Sequence, residues 1–226
     1  MARKSKKSLK EKISKMMPCL REAYPDAAPR LKFSNPLECL ISGILAAQCT
    51  DEKVNEVTEF VFDKYRTARD YADADLDRLM DEVYSTGTFR RKALRIKECC
   101  EMLDKQFGGE VPEDMDSLVS LPGVGRKTAN MVRADSFGKP GIIMDTHVIR
   151  LSGRIGLSNK KLPDKIEFDL REIIPEDEWT IFSHIMAFHG SRTCVARKPK
   201  CEQCCINEYC DYFAKNYGGK KSGRKN

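Results

Sequence analysis

The sequence predicts an all-α fold on three observations. Helical periodicity runs through nearly the whole chain, period-two alternation is absent beyond the short Ile142-Ile143-Met144, and helix ends carry capping residues. Asn35-Pro36-Leu37-Glu38 starts a helix, with Asn as N-cap, Pro in the first turn and Glu at the third position. Leu37, Leu40, Ile41, Ile44 and Leu45 form its apolar stripe. Thr50 or Asp51 opens a second helix, with Val54, Val57, Val61 and Tyr65 inward. Leu76, Leu79, Met80 and Val83 mark a third. Ala93, Ile96, Cys100, Leu103 and Phe107 mark a fourth, ended by Gly108-Gly109. Leu118 and Leu121 precede a Pro-Gly turn, and a helix follows over about 126–136. Residues 145–155, 164–174 and 177–189 read as three more. The expectation is about ten helices with a cysteine-rich segment appended.

A chain of 226 residues suffices for one large domain or two small ones. Its 41% hydrophobic and 33% charged residues describe an ordinary soluble protein and exclude a disordered one. No apolar run approaches the roughly 18 residues that span a bilayer, so no membrane partner is expected. The basic stretch 3–15 is not followed by a signal-type apolar segment, which makes a cytoplasmic address the default. The net charge of +6 comes from the ends: residues 1–15 carry net +6, residues 215–226 net +5, and the remainder net −5. The terminal charge suits nonspecific phosphate attraction or plain solubility, so nucleic-acid binding must rest on basic clusters elsewhere.

Ten cysteines are many for such an address, where disulfides are rare, and five fall in the last 33 residues. Cys194-x6-Cys201-x2-Cys204-x5-Cys210 brings four thiolates within 17 residues. The unequal spacing and the lack of His in the segment favour a four-cysteine iron–sulfur cubane over zinc. Cys205 stands as an alternative ligand to Cys204. Between the first two ligands, Arg197, Lys198 and Lys200 form a basic loop anchored at both ends, suited to phosphate contact or simply solvated.

Leu121-Pro122-Gly123-Val124-Gly125-Arg126-Lys127 forms a tight hairpin between helices. Gly123 and Gly125 allow positive φ and close backbone approach, and amides at the start of the following helix can receive a phosphate. Lys127 falls in that helix's first turn, where the positive dipole end disfavours an ammonium, an arrangement that favours a nucleophilic amine. Asp145, in Met144-Asp145-Thr146-His147, reads as an N-cap that can also face a cleft as a fixed negative charge.

These residues resemble the endonuclease III family of the helix-hairpin-helix DNA glycosylase superfamily. The resemblance runs from about Pro18 to Tyr212. It is carried by Ala46-Ala47-Gln48-Cys49-Thr50-Asp51, by the hairpin through Thr128-Ala129, by Met144–His147, and by the cysteine quartet around Ala196-Arg197-Lys198-Pro199. It implies a helix-hairpin-helix DNA glycosylase fold: a six-helix barrel domain plus an iron–sulfur cluster domain, with DNA in the groove between them. The expected division is 1–28 as basic tail and N-terminal helix packing with the cluster domain, then 29–138 as barrel with the hairpin at about 115–136. Residues 139–214 would form the C-terminal domain with the [4Fe-4S] loop, and 215–226 a flexible basic tail.

The implied activity is base excision repair. A damaged pyrimidine flips from duplex DNA and its glycosidic bond is cut. Lys127 would attack the sugar as a Schiff-base nucleophile, Asp145 would stabilise positive charge on the sugar, and β-elimination would break the strand on the 3′ side. Gln48 would fill the gap left by the flipped nucleotide. Gly123, Gly125, Arg126, Arg197, Lys198 and Lys200 would contact DNA, and Cys194, Cys201, Cys204 and Cys210 would hold the cluster. A monomer, nucleoid-associated in a prokaryote, is implied. Lys127, and Gly43 where related adenine glycosylases have a catalytic Glu, favour the bifunctional glycosylase/lyase. One stretch departs from the family pattern: Gly87-Thr88-Phe89-Arg90-Arg91-Lys92-Ala93 has Thr88 where a large apolar wedge is usual and Phe89 where Tyr is usual.

Overall fold

The structure is a computed structural model and describes residues 5–218. Residues 1–4 and 219–226, the outer parts of the two basic tails, lie outside the described residues. The described residues form twelve α-helices and four short 3-10 turns, with no strand. The chain splits into two compact units, one of Pro29–Gly141 and one of Met1–Ala28 with Ile142–Asn226.

The continuous unit holds α2 (Pro36–Leu45), α3 (Asp51–Lys64), α4 (Ala68–Asp73), α5 (Leu76–Glu82), α6 (Phe89–Phe107), α7 (Met115–Ser120) and α8 (Arg126–Phe137). Local chemistry sets their ends. Asn35 caps α2 through Glu38 N, Thr50 caps α3 through Lys53 N, and Gly108 closes α6 in the left-handed region. Thr67 and Asp70 form a capping box that starts the six-residue α4. The long α6 packs against α4 and α5, while α2 packs against α8. Leu40, Ile41, Leu45, Tyr71, Leu79, Ile96, Leu103 and Leu118 are buried in this core. Gly43 permits the close approach of α2 to α8: a Cβ there would lie 2.6 Å from Thr128 Cγ2 and 2.8 Å from Met131 Cε. Any larger residue at this position would require Thr128 and Met131 to shift.

The second unit joins α1 (Lys6–Ala23) to α9 (Thr146–Ile155), α10 (Pro163–Arg171), α11 (Trp179–Arg192) and α12 (Asp211–Tyr217). Lys6–Lys15 reads from its charge as tail but lies in α1, because Ile13, Met16, Met17 and Leu20 supply a buried stripe. Lys12 reaches from this helix to the Ile155 carbonyl at 2.6 Å and to Asp211 at 2.9 Å. Residues 215–217, also read as tail, are helical in α12. The core of this unit combines the α1 stripe with Val148, Leu151, Ile155, Leu170, Phe182, Ile185, Met186 and Ile206. No helix among the described residues is long and apolar enough to cross a membrane.

Candidate functional site

In the continuous unit, the hairpin Leu121–Gly125 connects α7 to α8. Gly123 has φ +81°, and a Cβ there would lie 2.9 Å from Arg95 Cβ and 3.6 Å from Ile44 Cγ2. Gly125 is the N-cap of α8 and supplies no side-chain cap. The first amides of α8 are thus left for an external acceptor, at the positive end of the helix dipole. Lys127 is exposed in this first turn, and its ammonium meets no partner among the described residues. Arg126 beside it is half-buried.

Two further segments join the hairpin. Gln48, exposed in the turn between α2 and α3, has φ 56°. Thr88 at the start of α6 has φ 38° and makes no side-chain cap. The buried Lys92 donates to the Thr86 carbonyl at 2.6 Å, and burial pushes its ammonium down against an opposing effect of the Cys49 thiol. Arg95 beneath Gly123 and Lys92 beside Cys49 therefore bring the start of α6 to both turns.

Sequence reasoning missed what covers this corner. Tyr84 is 64% exposed, its ring lies 4.7 Å from that of Phe89, and the Arg90 guanidinium sits 4.6 Å over the Phe89 ring. Thr88 thus stands beside an aromatic–cation stack, a surface on which an unstacked base can rest.

In the other unit, Asp145 is the N-cap of α9, its Oδ1 accepting from Val148 N at 2.6 Å. Its Oδ2 makes no hydrogen bond among the described residues, so this half-buried residue keeps one carboxylate oxygen uncommitted.

Cys194, Cys201, Cys204 and Cys210 line one small pocket, together with Ile155, His189 and Phe213. Cys205 is exposed and not part of the lining. Among the described residues, no three His, Cys, Asp or Glu side chains converge as a single ion requires. Four soft thiolates spread around one pocket fit a cubane, which offers each sulfur its own iron. Side-chain nitrogens lie against two of the sulfurs. Arg154 donates to Cys194 Sγ at 3.3 Å, and His189 Nε2 lies 3.7 Å from Cys204 Sγ. Burial, reinforced by the Arg150 guanidinium, pushes His189 down to about 4.

The basic loop is held as its anchoring implies. Lys200 N donates to the Thr193 carbonyl at 3.0 Å and closes the loop. Arg154 grips the Val195 and Ala196 carbonyls, each at 2.8 Å. Arg197, Lys198 and Lys200 remain exposed, and Lys198 has φ 54°. Gln48, Thr88 and Lys198 are the positive-φ residues other than glycine among the described residues. Such conformations cost roughly 1–3 kcal/mol each and gather where function demands them. Two of the three are expected DNA contacts, and the third occupies the wedge position.

A helix-hairpin-helix with an exposed lysine, in a chain that also carries a four-cysteine pocket, defines a DNA repair protein. Residues 41–176 match the HhH-GPD superfamily of base excision DNA repair proteins, and residues 194–210 match the iron–sulfur binding domain of endonuclease III. The chain is 42% identical to Endonuclease III of Synechocystis sp., covering 90% of this chain and 93% of that relative. It is 40% identical to Endonuclease III of Bacillus subtilis, over 84% and 87% of the two. A solved structure of a trapped endonuclease III–DNA covalent intermediate superposes with a TM-score of 0.88 at 42% identity, covering 91% of this chain and 97% of that one. The chain belongs to the endonuclease III family. It is a DNA glycosylase and abasic-site lyase with a [4Fe-4S] cluster as cofactor.

Proposed function

We propose that this enzyme removes oxidised pyrimidines from double-stranded DNA and cleaves the strand 3′ to the abasic site through a Schiff base on Lys127. The observation that carries the reading is the exposed Lys127 in the first turn of α8, directly behind the glycine hairpin, its ammonium without a partner among the described residues. The Lys127 amine adds to C1′ as the C1′–N bond to the base breaks, and the base leaves with a proton. Ring opening gives the imine, loss of a C2′ proton follows, and the 3′ phosphate departs as leaving group. Asp145 contributes its uncapped oxygen, stabilising positive charge on the sugar as the base leaves.

Gln48 occupies the gap left by the flipped nucleotide. The Gly123–Gly125 amides, Arg126, Arg197, Lys198 and Lys200 hold phosphates. Cys194, Cys201, Cys204 and Cys210 would hold the cluster, which would anchor the basic loop between the end of α11 and the start of α12. The enzyme acts as a monomer on chromosomal DNA in the cytoplasm.

Borohydride reduction tests the reading. Wild-type protein mixed with duplex containing thymine glycol, an oxidised cytosine or an abasic site should form a borohydride-stable covalent adduct. Lys127→Ala should bind the same duplex yet give none. Absence of an adduct with wild type, or undiminished trapping by Lys127→Ala, overturns the lysine assignment.

A further inference from the structure

Beyond the four sulfurs, the cluster pocket contains a buried polar chain that the glycosylase reaction does not use. His189 is 1% exposed, and its Nε2 faces Cys204 Sγ at 3.7 Å. On its other side, Nδ1 lies 2.8 Å from the Tyr24 hydroxyl, which lies 2.7 Å from Thr193 Oγ1. The Tyr24 and His189 rings meet edge to face, 5.5 Å apart at 72°. Two segments distant in sequence, the end of α1 and the end of α11, thus form one line ending on a cysteine of the quartet. Tyr24 closes α1, His189 lies in α11, and Thr193 directly precedes Cys194.

The direction of the protons along this line follows from the kinds of group in it. A metal-bound thiolate accepts and cannot donate. A hydrogen bond to Cys204 Sγ therefore requires the proton on Nε2. In the neutral ring this leaves a lone pair on Nδ1, so the Tyr24 hydroxyl must donate to Nδ1. Tyr24 has then spent its only proton, so Thr193 donates to Tyr24. Each member has one assignment once the sulfur is a ligand.

We propose that Tyr24 and Thr193 lock His189 in the Nε2–H tautomer, and that His189 donates this hydrogen bond to Cys204 at the [4Fe-4S] cluster, raising its reduction potential. The inference rests on the reading of Cys204 as a ligand. His189 is a positioning residue acting through Cys204, and no electron transfer is assigned to the repair reaction. An N–H directed at a cluster sulfur stabilises the more negative, reduced state, so its loss lowers the potential. The same bond selects between adjacent thiols: Cys204 lines the pocket against His189, whereas Cys205 is exposed.

The test is voltammetry of cluster-loaded protein, with iron and sulfide content measured in each sample. His189→Phe should shift the midpoint potential to more negative values at full iron content. His189→Gln, which keeps an N–H, should move it back toward wild type. Tyr24→Phe should shift it in the same direction as His189→Phe but less, because the donor remains while its tautomer lock is weakened. An unchanged potential in cluster-loaded His189→Phe overturns the proposal. Should that variant fail to load, wild type decides the matter: pulsed EPR of the reduced cluster in protein labelled with 15N-histidine should show a coupled 15N. Its absence overturns the proposal as well. Cys204→Ser separates the underlying reading: a full four-iron cluster with unchanged absorption and potential would show that Cys204 is not a ligand, whatever His189 does.

Discussion

Arg154 donates to the sulfur of Cys194 at 3.3 Å with the same nitrogen that reaches the Val195 carbonyl at 2.8 Å. Its other terminal nitrogen donates to the Ala196 carbonyl, and its guanidinium lies 5.1 Å over the Tyr212 ring. One side chain of α9 therefore holds the Cys194 sulfur and the first half of the basic loop together. The planar fork makes this possible, and a lysine cannot reproduce it.

Arg154→Ala should accordingly lower both iron content and DNA affinity, and Arg154→Lys should restore little of either. Removing one partner of such a charge-assisted network costs about 1.5–3 kcal/mol. Iron and sulfide analysis, with DNA titration at fixed salt, checks this. Normal iron content in Arg154→Ala would remove the proposed anchoring role.

Asp145 performs a structural task and a proposed chemical one with different oxygens, so two substitutions separate them. Asp145→Asn keeps an acceptor for Val148 N and should change stability by less than about 0.5 kcal/mol, whereas Asp145→Ala should cost about 1 kcal/mol. Base release should slow in both by on the order of 100-fold or more, with DNA binding retained. Thermal unfolding and single-turnover assays measure the two effects. Full activity in Asp145→Asn would confine the residue to capping.

The two hairpin glycines should respond differently to alanine. Gly123→Ala forces a side chain into φ +81° and places its Cβ 2.9 Å from Arg95 Cβ, so stability should fall by roughly 1–3 kcal/mol. Gly125, at φ −94° with no atom within 4 Å of an added Cβ, should accept alanine within about 0.5 kcal/mol. Its DNA affinity should still drop, because the methyl group would stand on the proposed path of a phosphate to the amides. Denaturation curves paired with binding isotherms test the contrast. Equal stability losses in both variants would contradict it.

Removal of the cluster should loosen residues 194–212 and spare Pro29–Gly141, which forms its own compact unit. The cysteine segment is built from short 3-10 turns at Cys201–Gln203 and Asn207–Tyr209, with little apolar burial beyond Ile206. Metal binding is folding free energy for such a segment. Hydrogen exchange of iron-depleted protein should show faster exchange at the Lys200 and Cys204 amides and unchanged protection in α6 and α8. Retained protection in residues 194–212 would refute this dependence.

Much of this architecture is local in origin, and was therefore legible. The Asn35 and Thr50 caps, the Gly108 stop and the apolar stripe of α6 each act within one or two helical turns, which is the range that periodicity reads. The cysteine spacing and the Gly123–Lys127 run are equally local. The six-residue α4 escaped notice although its Thr67–Asp70 capping box stands in the sequence, because one and a half turns carry too short a stripe. The charge of Lys6–Lys15 masked a helix whose stripe acquires meaning only against a core from residues 142–206.

The sequence by itself determined the helices, the hairpin lysine and the four thiols, because caps, turns and ligand spacing are short-range. The tertiary structure decided which groups face those thiols. Tyr24 stands 165 residues from His189, and Arg154 stands 40 from Cys194. It also decided that Gln48, Thr88 and Lys198 adopt left-handed backbone, which their residue types disfavour and surrounding contacts impose. Hydrogen bonds across such separations exist only once apolar burial has joined the helices, so no local pattern announces them.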